Sequence, residues 1–454
     1  MKYIELALKA WREGEPLRAR RRRYKDYTYG RQWNDAGADG ESEHDSALRA
    51  GFRPHTNNLI RQLVKSVVGN FRNSLSSPDR QAVTPEPDEA TASRNALTEL
   101  DCRMLEEFLI SGCAVQRVVA ERRLAGDGVW VDNISPDSFF INRFTDPRGL
   151  DIELVGMLHS MSLREVLMRF APQGGRRAAR IAAAYHTSWH EGPAGPLGDS
   201  VSRSFFDAGS HRCRVIELWT LESRSVLRCH EPSSGRFFLA SADNRSSHPA
   251  DGNPPAEIIT RPSTTLRWHC RMMAPDGMIL DEFDSPYAHS LHPFAVKFYP
   301  LIDGEVHSLV EDIIDQQRTV NRLITLIDHI MSVSAKGALL APSDGLPPGL
   351  TLEMLGELWA RPNSVIPYVP GKGEIRQTVG SSECAGAYQL LNLQMQLFNQ
   401  ISGVSSALQG HITNNHTSAA LYDAQLRNSS IAILDLLDSF NSFRAARNRL
   451  IVNS

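Results

Sequence analysis

The chain has 454 residues, 41% hydrophobic and 22% charged, with a formal net charge of -3. That composition suits a folded protein with more than one core. It argues against a protein that grips nucleic acid by bulk phosphate neutralisation, so any DNA contact is local or weak. No apolar run reaches the roughly 18 residues of a membrane-spanning helix, and the N-terminus has no signal-type apolar core, so a cytosolic chain is expected. Cys102, Cys113, Cys213, Cys229, Cys270 and Cys384 show no paired spacing, which signals neither a disulfide framework nor a zinc module. Cys229-His230 and His269-Cys270 would make a metal site only if the fold drew them together; the plain reading is two strand positions and their neighbours.

The first segment is helical and basic. Arg18, Arg20, Arg21, Arg22 and Arg23 look like a nucleic-acid patch, but Asp26 and the acidic loop that follows dilute the field, and a solvated helix face is expected. Residues 58–75 read as an amphipathic helix, with Leu59, Leu63, Val67 and Phe71 on one side and Arg61, Lys65 and Arg72 elsewhere. After prolines at 85 and 87, one helix is expected from about Glu89 to Ile110, leading into strands in GVWVDNISPDSFFINRF. A short helix LREVLMRF follows, then a Gly/Pro/Arg-rich stretch from Pro172 to about Ser204 that is expected to be mobile. Strands resume in CRVIELWTL, RFFLA, RWHCRMM and MILDEF, so the middle third is mixed and β-rich.

The last third differs in kind. A seam of Val306, Val310, Ile313, Gln317, Val320, Ile324, Ile327 and Met331 steps by fours and threes, with Glu311, Asp315, Arg318 and Arg322 on another face. It predicts one helix from Glu305 to Lys336, roughly 48 Å long at about 1.5 Å per residue. Between 337 and 383 a small insertion is expected: a strand GALLA, a helix from Thr351 to Trp359, and strands SVIPYV and EIRQTV. A second long helix is expected from Ala385 to Leu408 and a third from Ser418 to Ile451. From Cys384 to Tyr422 there is no Asp, Glu, Lys or Arg. Within that window Leu390, Leu393, Leu397, Ile401 and Val404 form one apolar stripe, with Tyr388, Leu391, Met395 and Phe398 beside it. Such a helix needs neighbours on more than one side. The remaining stripe, Asn392, Gln396, Asn399 and Gln400, is amide. Burial within one domain would explain the apolar positions but leaves the amides in need of partners.

Catalytic constellations are missing. PGKGE lacks the length and the Ser/Thr of a phosphate-binding loop, and SGVSSA lies inside a helical pattern where a nucleophile elbow cannot form. Glu311, Asp312 and Asp315 share helical turns, as ordinary surface ion pairs do. Asn415-His416-Thr417 fits a glycosylation sequon, without a secretory route to use it.

The ordered motifs TNNLIRQLVKSVVGNFRN, ISPDSFFINRFTDPRGLD, APDGMILDEFDSPYAHSLHPF, HPFAVKFYPLIDGEVHSLVEDIIDQQRTVNRLITLI, WARPNSVIPYVPGKG and ISGVSSALQGHITNNHTSAALYDAQLRNSS resemble the portal proteins of tailed bacteriophages, in particular the P22-like branch found in prophages. The resemblance implies an α+β portal fold: a mainly helical stem of long antiparallel helices, a small α/β clip insertion and a β-rich wing. Residues 1–135 would be the helical part of the wing, 136–304 its β-rich part with the mobile loop, 305–336 and 384–409 the two stem helices, 337–383 the clip, 410–417 a channel loop and 418–454 a wing helix. On the same resemblance, the family's helical crown would have no counterpart in the residues up to Ser454.

The resemblance also implies a homo-oligomeric ring, typically of twelve subunits, at one capsid vertex of the virion. Through it double-stranded DNA would pass in packaging and ejection. Partners would be the terminase large subunit, a head-tail adaptor, and capsid and scaffolding proteins, with no membrane, cofactor, metal or catalytic residue. His411, Thr413, Asn414, Asn415, His416 and Thr417 would meet the DNA, Asn392, Gln396, Asn399 and Gln400 would line the stem, and Trp359, Arg361, Lys372 and Arg376 would lie in the clip that contacts terminase and adaptor. An uncharged lining suits sliding, because Lys and Arg on several phosphates bind tightly while amides offer weak, sequence-independent contacts. Two readings from other classes stand beside it: an intracellular metal-dependent nucleic-acid enzyme using the basic N-terminal helix and the acidic cluster, and a membrane pore.

Overall fold

The computed structural model describes residues 2–37, 40–76, 83–124, 126–191, 212–232, 235–241, 259–334, 338–342, 346–360, 365–367, 369, 371, 375–378, 385–404 and 419–454. In chain order the elements are α1 (Lys2–Glu13), α2 (Glu15–Thr28), α3 (Glu43–Arg49), α4 (Leu59–Ser76), α5 (Glu89–Arg94) and α6 (Leu97–Ser111). Then come β1 (Cys113–Arg123), β2 (Gly126–Asn133), β3 (Phe139–Ile141), β4 (Leu154–Met161), α7 (Leu163–Phe170), α8 (Gly175–Glu191), β5 (Cys213–Glu231), β6 (Arg236–Ser241), β7 (Ile259–Met273) and β8 (Ile279–Asp284). The last third holds β9 (Phe294–Phe298), β10 (Pro300–Ile302), β11 (Glu305–Val306), α9 (Leu309–Ser334), β12 (Ala338–Leu340), α10 (Leu352–Ala360), β13 (Arg376–Thr378), α11 (Ala385–Ser402) and α12 (Ala419–Val452). The chain is α+β.

Two compact units are present: Met1–Lys25 with Val64–Glu311 and Asn414–Ser454, and Asp26–Leu63 with Asp312–Thr413. They cut across the boundaries expected from sequence, since 26–63 does not group with the rest of 1–135.

The first unit is built on antiparallel sheets. Three strands run in the order β2-β1-β9, and a larger sheet runs β3-β4-β5-β7-β8, with β6 also on β5. The ladder between β5 and β7 extends from Ile216↔Met273 to His230↔Ile259. One face of the large sheet is covered by α1, whose Ile4, Ala7, Leu8 and Trp11 pack on Phe140, Leu154, Leu158, Ile216, Leu218 and Met273. Gly156 on β4 has no room for a side chain: a Cβ there would sit 2.4 Å from the Phe140 ring. The other core gathers Val155, Met157, Trp219, Trp268 and Cys270 with Val166 and Phe170 of α7 and Ile181 and Tyr185 of α8. Ser162 caps α7 in a reciprocal box with Glu165, which fixes its start where the sequence places it. On α12, Phe440 packs against Phe71 at 5.5 Å and Phe108 at 5.7 Å.

Several expectations are corrected. The stretch from Pro172 is helical over Gly175–Glu191, because Ala178, Ile181 and Tyr185 give it an apolar face to bury; residues 192–204 lie outside the described residues. The helix expected from Glu89 to Ile110 is two, broken where Ala96 adopts φ 46°. Glu305 and Val306 form β11 against β10, so α9 begins at Leu309 and its 26 residues span about 39 Å. The second long helix ends at Ser402, followed by Gly403 at φ 64°; 405–408 lie outside the described residues. Residues 365–367 of the expected SVIPYV strand have no strand pairing, and β12 pairs with β13 alone among the described strands.

Arg18 and Arg21 are not on a solvated face: each is 2% exposed. Arg21 meets Glu107 at 2.5 Å and Asp137 at 2.5 Å. Arg18 lies over the Trp11 ring at 3.8 Å and bonds Glu15 at 2.8 Å. Cys229 pairs with Thr260, and His269 with Thr220; the two Cys-His pairs are thus separated by about 30 Å of ladder at about 3.3 Å per residue, and no metal site joins them.

Candidate functional site

The second unit contains the charge-free window as far as Thr413, including all of α11. Along α11 successive side chains turn by about 100°, which sorts its residues into four strips. Phe398 and Ser402 are each 2% exposed and mark the buried strip. Leu390, Leu393 and Ile401 lie to one side of it and Tyr388 and Met395 to the other, and all five are between 42% and 49% exposed. The exposed Asn392, Gln396, Asn399 and Gln400 fall between these two apolar flanks, away from the buried strip. Burial in the folded chain therefore explains only one strip. The amides are not the buried polar groups that one sequence reading would require.

The partner-seeking amides are instead on α9. Gln317, Asn321 and Thr325, at successive turns, are each no more than 5% exposed. Gln317 Oε1 accepts from Leu59 N–H at 2.9 Å, Asn321 Oδ1 from Asn57 N–H at 3.0 Å, and Thr325 Oγ1 from His55 N–H at 3.0 Å. Gln317 Nε2 also donates to Asn57 O at 2.6 Å, and Asn321 Nδ2 to Gln32 Oε1 at 2.5 Å. The match is geometric: four residues of helix rise about 6 Å, and two residues of extended chain advance about 6.6 Å. One face of a helix thereby serves as the pairing edge for the segment 55–59, and the buried side chains of Gln317, Asn321 and Thr325 find their partners on its backbone. Sequence reasoning counted Gln317 as a seam position; the i, i+4, i+8 run of Gln, Asn and Thr was the available signal.

Beside the ladder, Arg318 and Arg322 both bond Glu43, the latter at 2.9 Å. Burial lowers the Arg318 guanidinium pKa, but the hydrogen bond and charge of Glu43 outweigh it, so the net shift is upward. With Trp33, Phe52 and Leu326 these arginines line a cavity of about 540 Å³.

The other expected site residues fare unevenly. Trp359 is half-buried near the end of α10, and Arg376 is exposed at the start of β13, opposite Leu340. Arg361, Lys372 and all of His411, Thr413, Asn414, Asn415, His416 and Thr417 lie outside the described residues. For the enzyme reading, no group of three or more His, Cys, Asp or Glu able to hold a metal is present among the described residues. The basic helix has turned Arg18 and Arg21 inward. No helix among the described residues is long and apolar enough to cross a membrane.

The family model for phage P22-like portal proteins matches residues 5–453. The chain belongs to that family: a structural portal component of the capsid vertex, concerned with genome packaging and the head-tail connection. No curated protein matches the chain.

Proposed function

We propose that this portal protein forms a ring whose channel conducts double-stranded DNA into and out of the capsid, with α11 lining the passage. The carrying observation is the distribution of side chains around α11. A helix buried on one strip, apolar and exposed on both flanks, and amide between those flanks suits a place between two like neighbours around an aqueous lumen. Rings of this kind use one patch against a different patch on the next subunit, which is what two unequal apolar flanks provide. Covering a large apolar side chain is worth about 1.5–3 kcal/mol, so the exposed residues on α11 supply a substantial driving force. The amides would touch phosphates weakly and without sequence preference. The loop at 410–417 would form the constriction, and the segment 337–383 would meet the terminase large subunit and later a head-tail adaptor, with Trp359, Arg361, Lys372 and Arg376 among the contacts. Capsid and scaffolding proteins would surround the assembly, and twelve is the expected subunit number.

Negative-stain microscopy of the purified protein tests the ring. Paired Leu393→Glu and Ile401→Glu substitutions should abolish rings while leaving helical circular dichroism unchanged. Wild-type monomers alone, over a wide concentration range, would sink the proposal. Asn414→Lys with Asn415→Lys should leave rings intact and slow DNA filling, because positive charge at the constriction holds phosphates; unchanged filling removes the loop from the mechanism.

A further inference from the structure

A second surface, in the first unit, is charged where the chain as a whole is not. Between Leu163 and His186 there are five arginines, Arg164, Arg169, Arg176, Arg177 and Arg180, no lysine and one acid, Glu165, in a protein of net charge -3. The two helices that carry them, α7 and α8, pack on each other and on one apolar core through Val166, Phe170, Ile181 and Tyr185. Their outward faces are thereby fixed. Arg177 is occupied by the Leu280 carbonyl and Arg169 lies over Phe170 at 5.6 Å. Arg164, Arg176 and Arg180 are exposed and make no ion pair among the described residues. On α7, one turn beyond Arg164, Met168 stands 64% exposed.

We infer that this face of α7 and α8 is a docking surface for an acidic, amphipathic helix of a protein partner. Charge complementarity sets the sign of the partner. The residue types set its class: Met and Arg are enriched and Lys depleted at protein–protein interfaces, and an exposed methionine adapts its flexible thioether to apolar side chains. A surface for the phosphate backbone alone would have no use for Met168. The guanidinium fork pairs a carboxylate with two parallel hydrogen bonds, so glutamates one helical turn apart on the partner could engage Arg176 and Arg180, which are themselves one turn apart on α8. The partner helix then sets an apolar residue on Met168 between its carboxylate contacts.

The test uses the full chain and three fluorescent probes: a synthetic helical peptide with glutamates at i, i+4 spacing around leucines, the same peptide with serines for the leucines, and a short duplex DNA. At low salt the leucine peptide should bind tightest, and Arg164→Gln with Arg176→Gln and Arg180→Gln should weaken it by at least about tenfold. Met168→Ser should weaken the leucine peptide and leave the serine peptide unchanged. All four residues are exposed, and circular dichroism checks that the variants fold. Tighter binding of the duplex would make the face a phosphate surface and overturn the inference; so would equal binding by the triple variant, or no peptide binding at all.

Discussion

The two units bury polar groups by different chemistry. The first buries charge. Glu217, fully buried, takes Arg117 at 3.3 Å, His159 Nε2 at 2.6 Å and Trp219 Nε1 at 2.8 Å. Asp101, 1% exposed, holds Arg447 at 2.7 Å and Arg444 at 2.9 Å, and Arg447 is itself 1% exposed. The ladder of the second unit is neutral: Gln317, Asn321, Thr325 and Gln32 satisfy backbone and one another without a full charge. The difference teaches where each unit is vulnerable. Removing one partner of a buried ion pair strands the other at several kcal/mol, whereas a neutral ladder loses one hydrogen bond at a time and ignores pH. In the proposed channel unit this ladder is therefore independent of the ions around it, and the charge pairs of Arg318 and Arg322 with Glu43 stand beside it.

The sharpest way to break the comparison is Glu217→Gln. Burial pushes this carboxyl up, but the Arg117 charge and the His159 and Trp219 hydrogen bonds outweigh it and hold it well below the usual carboxylate range. Its contribution is present above the unfolded value of about 4.3 and is lost as pH falls below that toward the folded value. The variant should cost about 3–5 kcal/mol at neutral pH and show a shallower loss in acid, read by urea unfolding and by hydrogen exchange in β4 and β5. A loss under about 1 kcal/mol would mean that Arg117 finds another partner.

Gln317→Leu should come next, at about 1–3 kcal/mol, because the Asn57 carbonyl and the Leu59 and buried Ile60 N–H groups lose their side-chain partner. The cost should be the same at pH 5 and pH 8, with faster exchange of the Leu59 amide. A clear pH dependence would show that charge enters the ladder after all.

His292 gives the smallest effect, and it belongs to the first unit. Burial lowers its pKa to about 4, and its Nδ1 accepts from Phe294 N–H at 3.2 Å beside the Trp268 ring at 4.7 Å. A depressed histidine stabilises the fold above its unfolded pKa of about 6.5, and that contribution declines as pH falls from there to about 4, where the loss levels off. Stability should fall across that window, and His292→Asn should flatten the fall. An unchanged slope in the variant would assign the acid loss to another group.

Much of the fold is legible locally. LREVLMRF gives α7 with its bounds intact, since an apolar i, i+3, i+4 pattern and a capping box act within one or two turns. The alternating strands of the middle third follow for the same reason. The break at Ala96 was not legible, because a left-handed alanine is held by surroundings that no local pattern records. The α8 helix was obscured by composition: glycine, proline and arginine dominate the stretch, and its apolar contacts sit only on one side. For the candidate site, the charge-free window and its amide stripe could be read directly. Which amides are buried could not: the satisfied ladder is on α9, where the seam pattern counted only Gln317.

The sequence by itself determined the family, through ordered motifs along nearly its whole length, and the periodic elements that near-neighbour physics dictates. It also determined that one window would be free of charge. Only the tertiary structure decided what each polar residue meets. Arg21 is buried because Glu107 and Asp137 arrive from 86 and 116 positions away, and Gln317 is satisfied by backbone 258 positions upstream. A charge or an amide carries no local sign of its partner, and its cost or benefit depends on whether distant chain completes the pair.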